Sequence, residues 1–203
     1  MPPAADTESL ILNAALRTLA RQGAQGFSMA SLSREAHVSR RTLYRYFPNS
    51  NAVFEAVSEH VGEVYGRAID DAVASDPGLH RRIEVVLTAT ARFGVYYPIA
   101  RDVFRAEPTF ALPYLEARIH QFTAVVRGAI APSTEQWTVV RSGDVTTWEV
   151  AEIVLRLGMS MFAFESDGAE RLAQVFAELI DHRPVPVGQD PTKGSGLRRA
   201  GQQ

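Results

Sequence analysis

FSMASLSREAHVSRRTLYRYF, residues 27–47, is the stretch whose parsing decides the fold. It divides into two short helices around a tight turn. Ser28 suits the N-cap of the first helix, because its hydroxyl can accept a bond from a free amide one turn on. Met29, Leu32 and Ala36 recur at helical spacing and give that helix one buried face. The turn is Ala36-His37-Val38-Ser39. With Ser39 as cap of the second helix, Val38 and Leu43 have the spacing of a hydrophobic staple, which fixes the angle of entry. Leu43 and Phe47, four apart, share the inward face. Arg41 and Arg45, also four apart, fall on the opposite face with Thr42 and Tyr44 beside them.

An exposed arginine-rich face on the second helix of such a pair suits the DNA major groove. Arginine can donate two bonds to guanine O6 and N7, the commonest specific base contact. Tyrosine and threonine hydroxyls more often bond phosphate, which sets register without reading sequence. The candidate DNA-binding residues are Ser28, Ser39, Arg40, Arg41, Thr42, Tyr44, Arg45, Tyr46 and Ser50. Spacing alone equally permits a solvated arginine face on an ordinary helix pair.

Residues 11–47 resemble the DNA-binding domain of the TetR family of transcriptional regulators. The resemblance rests on Ile11-Leu12-Asn13-Ala14-Ala15, Gly23 and Gly26, Ser28, Leu32-Ser33, Ala36-His37-Val38-Ser39 and Thr42-Leu43-Tyr44-Arg45-Tyr46-Phe47. It implies an all-α protein: a three-helix head carrying a helix-turn-helix, followed by a helical domain for ligand binding and dimerisation. Two positions depart from the family pattern. His37 stands where glycine is usual, at a left-handed turn position that costs histidine more than glycine. Ser50 stands where a lysine usually approaches the phosphate backbone. Asn49, Ser50 and Asn51 can still cap the helix and leave its amides facing a phosphate. One fewer charged contact predicts a shallower salt dependence.

Composition sets outer limits. The chain has 203 residues, enough for a substantial core. It has no cysteine, which excludes a disulfide framework, a thiol nucleophile and a zinc knuckle. No apolar run is long enough to span a bilayer, and the N-terminal stretch lacks the pattern of a signal peptide. The expected location is the cytoplasm. Net charge is −2, but residues 1–55 carry six Arg against four Asp or Glu, net +2, leaving the remainder at −4. A mildly positive head on an acidic body fits one DNA-facing end.

The expected domains are a DNA-binding head over 1–50, a regulatory and dimerisation domain over 51–182, and a disordered Pro/Gly/Gln tail over 183–203. A first helix spans 7–22, capped by Asp6 or Thr7, with Leu12, Ala15, Leu16 and Leu19 inward and Gly23 as its stop. Further helices are expected over 51–75, 79–97, 99–105 and 108–130, with a long loop over 131–145. Thr146 and Glu149 have capping-box spacing for a helix over 147–164. That helix is apolar around most of its circumference, whereas a helix with one buried face is apolar over about a third. A second copy of the chain is the simplest second partner; a fully internal helix is the alternative. Asp167 and Glu170 open a last helix ending near Asp181. The expected dimer interface is Val150, Val154, Leu157, Met161, Phe164, Leu172, Phe176 and Leu179, the four-helix arrangement the resemblance implies.

The resemblance also implies a small-molecule site in the body. Candidate lining residues are Phe93, Tyr96, Tyr97, Phe104, Phe110, Tyr114, Arg118, His120 and Phe122, with Trp137 and Trp148 as a possible lid. Any one of these aromatics can equally be plain core. A small apolar or aromatic effector fits such a lining. No cofactor, metal site or catalytic residue is expected. There is no Ser-His-Asp order or phosphate-cradling glycine loop, and Glu116/His120 and Glu178/His182 lack the Glu-x-x-His spacing of di-metal bundles. The sequence therefore predicts a DNA-binding transcriptional regulator, a ligand-responsive repressor acting as a homodimer on a palindromic operator. The alternative is a dimeric ligand-binding or scaffold protein that keeps the helix-turn-helix only as structure.

Overall fold

The computed structural model of the chain describes residues 4–164 and 168–181. Among these residues the regular structure is twelve α-helices and one short 3-10 turn, so the chain is all-α. None of the described helices is long and apolar enough to cross a membrane. The expected tail over 183–203, the cap at Asp167 and the Glu178/His182 pair lie wholly or partly outside the described residues.

The head is built from α1 (Ala4–Gly26), α2 (Met29–Glu35), α3 (Arg40–Tyr46) and the start of α4 (Ser50–Ser75). Helix α1 begins ahead of Asp6 and Thr7, so neither caps it. Its regular path breaks at Gly23, with φ 71 and ψ 171. The positive φ favours glycine there, and the absence of a Cβ also leaves room for the Glu107 carboxylate to lie over it. Leu12, Ala15, Leu16 and Leu19 are buried as expected, but so are Ile11, Ala14 and Thr18. The extra burial arises because α1 packs on α2 and α4 and also on α7 (Pro98–Ala106).

The body consists of the 3-10 turn Leu79–Arg81, then α5 (Arg82–Ala91), α6 (Phe93–Tyr96), α7, α8 (Pro108–Ala117), α9 (Ile119–Thr134), α10 (Thr138–Arg141), α11 (Thr147–Ala163) and α12 (Ala169–Asp181). Three expectations change. The helix over 79–97 is interrupted at Arg92, and Tyr97 leaves helical geometry because it precedes Pro98. The helix over 108–130 breaks at Arg118, whose guanidinium is held by Ser58 and Glu55 of α4 at 3.1 and 3.0 Å. The loop over 131–145 is mostly helical: α9 continues through Pro132 to Thr134. Tertiary anchors override the proline there. Thr134 is fully buried with its hydroxyl 3.4 Å from that of Thr147, and Ser133 donates to the Leu79 carbonyl at 2.8 Å.

Two hydrophobic clusters organise the chain, and they meet inside α4. Val53 and Val57 join the head cluster around Leu19, Leu32 and Leu43, together with Val103 of α7. Val64, Tyr65, Ala68 and Ile69 join the body cluster with α5, α9 and α11. The α5–α11 crossing is close because Gly158 has no side chain; a Cβ there would sit 2.5 Å from the Thr90 methyl.

Gly158→Ala should therefore cost about 1–3 kcal/mol through overpacking. Gly66→Ala, at a helical site with nothing within 4 Å of an added Cβ, should stabilise by about 0.5–1 kcal/mol. Urea denaturation of the two variants beside the parent checks both signs.

Candidate functional site

The helix-turn-helix is held by short-range chemistry. Ser28 and Ser31 form a reciprocal capping box: the Ser31 amide donates to the Ser28 hydroxyl at 3.1 Å and the Ser28 amide donates to the Ser31 hydroxyl at 3.0 Å. Ser39 caps α3 by accepting from the Thr42 amide at 3.0 Å. Val38 and Leu43 lie in one cluster, as a staple requires. His37 adopts φ 53 in the turn. The Ser33 hydroxyl closes that turn by donating to the Val38 carbonyl at 2.7 Å. Glu35 ties α2 to α1 through Arg17 and Arg21. The hydrogen bond from Arg17, aided by Arg21, holds the Glu35 carboxyl below the ordinary carboxylate range.

On this frame Leu43 and Phe47 point inward, while Arg40, Arg41, Tyr44 and Arg45 are exposed on α3. Thr42 and Tyr46 are half-buried; the Thr42 hydroxyl lies 2.9 Å from that of Ser39, and the Arg45 guanidinium sits 5.2 Å from the Tyr46 ring centre. Asn49 is the cap of α4, so Ser50 is its first residue. Ser28 and Ser39 commit one oxygen each to a cap, yet both remain exposed.

A cavity of about 140 Å³ lies where head and body meet. Of the expected lining, Phe93, Phe104, Phe110, Tyr114 and Phe122 border it. Four expected residues do not. Tyr96 is exposed and donates to Asp71 at 3.0 Å. Tyr97 turns toward the head and donates to Asn13 of α1 at 2.7 Å. Arg118 is held by α4, and His120 stacks on Trp148 at the surface, 5.8 Å between ring centres. Trp148 and Trp137 do not border the cavity either. Sequence reading missed Leu16 and Leu19 of α1, Phe54 and Tyr65 of α4, and Met159 and Phe162 of α11. The Phe54–Phe110 and Phe104–Phe162 ring contacts, 4.9 and 5.4 Å apart, join those elements around the space.

His60 and Tyr97 mark the same junction from the other side. Their rings meet edge-on at 6.2 Å. Burial pushes the His60 imidazole down from its ordinary value and the Tyr97 phenol up to about 12.

The expected interface residues split into two groups. Val150, Val154 and Met161 are buried in the chain's own core against α5 and α9, so they are unavailable to a second copy. Leu157 and Phe176 also pack on that core and are only half-buried. Phe164, Leu172 and Leu179 are 75%, 48% and 69% exposed, and Ile153, which the sequence reading omitted, is 54% exposed. Helix α11 therefore turns most of its apolar circumference into its own chain, with an inward side that packs on the core and an outward side that exposes Ile153. Periodicity could not tell which residues lie on which.

Comparison with known proteins bears on this geometry. Residues 11–57 match the family described as bacterial regulatory proteins, tetR family. A nucleoid occlusion factor, SlmA, from Haemophilus influenzae is 29% identical over 102 residues, covering 50% of this chain and 47% of that protein. The chain thus aligns with about half the length of that relative. Among solved structures, a TetR-family regulator from Syntrophomonas wolfei superposes with TM-score 0.68 at 12% identity, covering 92% of this chain and 100% of that one. The fatty acid degradation regulator FadR from Bacillus halodurans superposes with TM-score 0.65 at 14% identity, covering 89% and 96%. These last two likenesses speak to fold.

The junction gives a pH prediction. His60 faces Tyr97 and lies in the field of Glu63, Arg67 and Glu8. Its folded value is below the ordinary 6.5, so the unfolded chain binds the extra proton first. Its contribution to stability is full above about pH 6.5 and is lost as pH falls through the folded value. Urea midpoints measured from pH 8 to pH 5 should decline at the acid end, and His60→Gln should flatten the decline that sets in below about pH 6.5.

Proposed function

Because its head is a TetR-family DNA-binding domain set on a TetR-type helical fold, we propose that the protein is a ligand-responsive transcriptional repressor acting as a homodimer on a palindromic operator. The observation that carries the reading is the outward face of α3, where Arg41 and Arg45 stand exposed above the buried Leu43 and Phe47. Arginines on such a face suit base edges, while Tyr44 and the Ser39 and Thr42 hydroxyls suit phosphate oxygens. The net +2 of residues 1–55 supports approach to DNA by that end.

Dimerisation is supported by the exposed apolar residues of α11 and α12. Ile153, Phe164, Leu172 and Leu179 are each left exposed and are available to be covered by the same residues of a two-fold mate. Two heads then reach successive major grooves, about 34–36 Å apart for adjacent half-sites. The cavity between head and body supports effector control. An effector that prefers the state with mismatched head spacing shifts the population off DNA. A 10- to 100-fold loss of DNA affinity needs only about 1.4–2.8 kcal/mol of differential binding.

Selection of genomic fragments by the purified protein, followed by footprinting, tests the reading: a short palindrome is expected. Arg41→Ala and Arg45→Ala should each cost about 1–3 kcal/mol and relax specificity at one base position. Unchanged DNA affinity in both would favour the scaffold alternative. Leu179→Asp should raise the dimer dissociation constant at least about tenfold, read by sedimentation, and weaken operator binding in parallel.

A further inference from the structure

The cavity has a property that narrows its occupant: among the described residues no charged side chain borders it. The polar residues among those that do are Ser58, Tyr65, Thr90 and Tyr114. Thr90 gives its hydroxyl proton to the Val86 carbonyl at 2.8 Å, so Tyr65 must be the donor in the 2.8 Å Tyr65–Thr90 bond. Both of those protons are therefore spent. Ser58 accepts from the Arg118 guanidinium at 3.1 Å, and that arginine is itself held outside the cavity by Glu55. The wall offers an entering molecule at most a hydroxyl or two and no counter-ion. An ion placed there would give up hydration without gaining a partner charge.

Size narrows it further. At about 140 Å³ the space is close to that of an apolar cavity of about 150 Å³ that takes benzene. Sites for drug-sized ligands run to about 300–1,000 Å³. The walls are ring faces and edges, from Phe54, Phe104, Phe110 and Phe162 among others, at separations suited to a further edge-on aromatic contact.

Position gives the occupant a lever on the head. Leu16 and Leu19, bordering the cavity, belong to α1, and Val57 and Val103 belong to the head cluster. The opposite wall, Tyr65, Phe93 and Leu155, belongs to the body cluster. We infer that this cavity takes a small uncharged apolar molecule, on the scale of one aromatic ring, seated in the joint between head and body in direct contact with α1. The inference rests on the effector reading above and specifies its chemistry and place.

Carbon-13 methyl NMR of methionine-labelled full-length protein tests it, with toluene as probe against benzoate and benzylammonium near neutral pH. Met159 borders the cavity, whereas Met29 lies in the head core and is not among the residues bordering it; Met159→Leu assigns the signal. Toluene should shift the Met159 methyl and leave Met29 in place, and the charged analogues should need at least about 100-fold higher concentration. Charged analogues binding as tightly as toluene, or toluene leaving Met159 unmoved, would overturn the inference. Ala111→Leu should weaken toluene binding by reducing the space, with the parent's Met159 response standing as the readout if that variant does not fold. DNA affinity measured with and without saturating toluene separates the two claims. A Met159 shift with unchanged DNA affinity keeps the ligand assignment and removes the effector role.

Discussion

Helix α1 has to satisfy neighbours on more than one side, and the rest of the molecule is arranged around that demand. Ile11, Ala14, Ala15, Leu16, Thr18 and Leu19 are all buried, a far wider band than one packing face needs. The helix-turn-helix covers part of it, and α7 of the body covers part of the remainder. Head and body are therefore not beads joined only through α4. The Tyr97–Asn13 hydrogen bond and the Glu107 side chain over Gly23 close the same contact with polar groups. Any change in head orientation has to move α1 against α7, and the cavity opens beside that contact.

The head was legible because its determinants are local. Caps, a staple and a left-handed turn residue depend on neighbours within a few positions: Ser28, Ser39 and Val38 could be placed from chemistry alone, and His37 from the glycine that the resembled family carries there. What escaped were small polar groups with several possible partners. Ser31 as the second half of the capping box and Ser33 as the clasp of the turn carry no distinctive sequence signal. In the body the legible part was the apolar circumference of α11, together with five of the aromatic residues around the cavity. The illegible part was direction. Val150, Val154 and Met161 look the same in sequence as Ile153, and only packing against α5 and α9 assigns them inward. Breaks at Arg92 and Arg118 left no trace because neither site holds glycine or proline. At Pro132, conversely, a visible breaker was overruled by Thr134 and Ser133 anchors.

The same division of labour explains why composition found the cavity's aromatic character but not its charge. Arg118 and His120 lie near aromatic residues in sequence, yet one is drawn to α4 carboxylates and the other to Trp148. Removing them leaves a lining of a different kind, and the inference about its occupant depends on that change. Residues 11–57 match the tetR family of bacterial regulatory proteins. The positions that differ from the family pattern, His37 and Ser50, are both accommodated by the backbone: His37 takes the left-handed turn itself, and Asn49 supplies the cap beside Ser50.

The length of α4 has a mechanical consequence. Its 26 residues make a rod about 39 Å long at 1.5 Å per residue. The head sits at one end, and the cavity wall at Phe54, Val57, Ser58, Val61 and Tyr65 occupies the stretch next to it. A tilt of that rod about its body end moves the head further than it moves the cavity wall, in proportion to the distance from the pivot. On the proposed dimeric reading, two-fold symmetry would double the resulting change in span between heads that have to match grooves about 34 Å apart. Gearing of this kind would let a ring-sized occupant act on a contact between macromolecules.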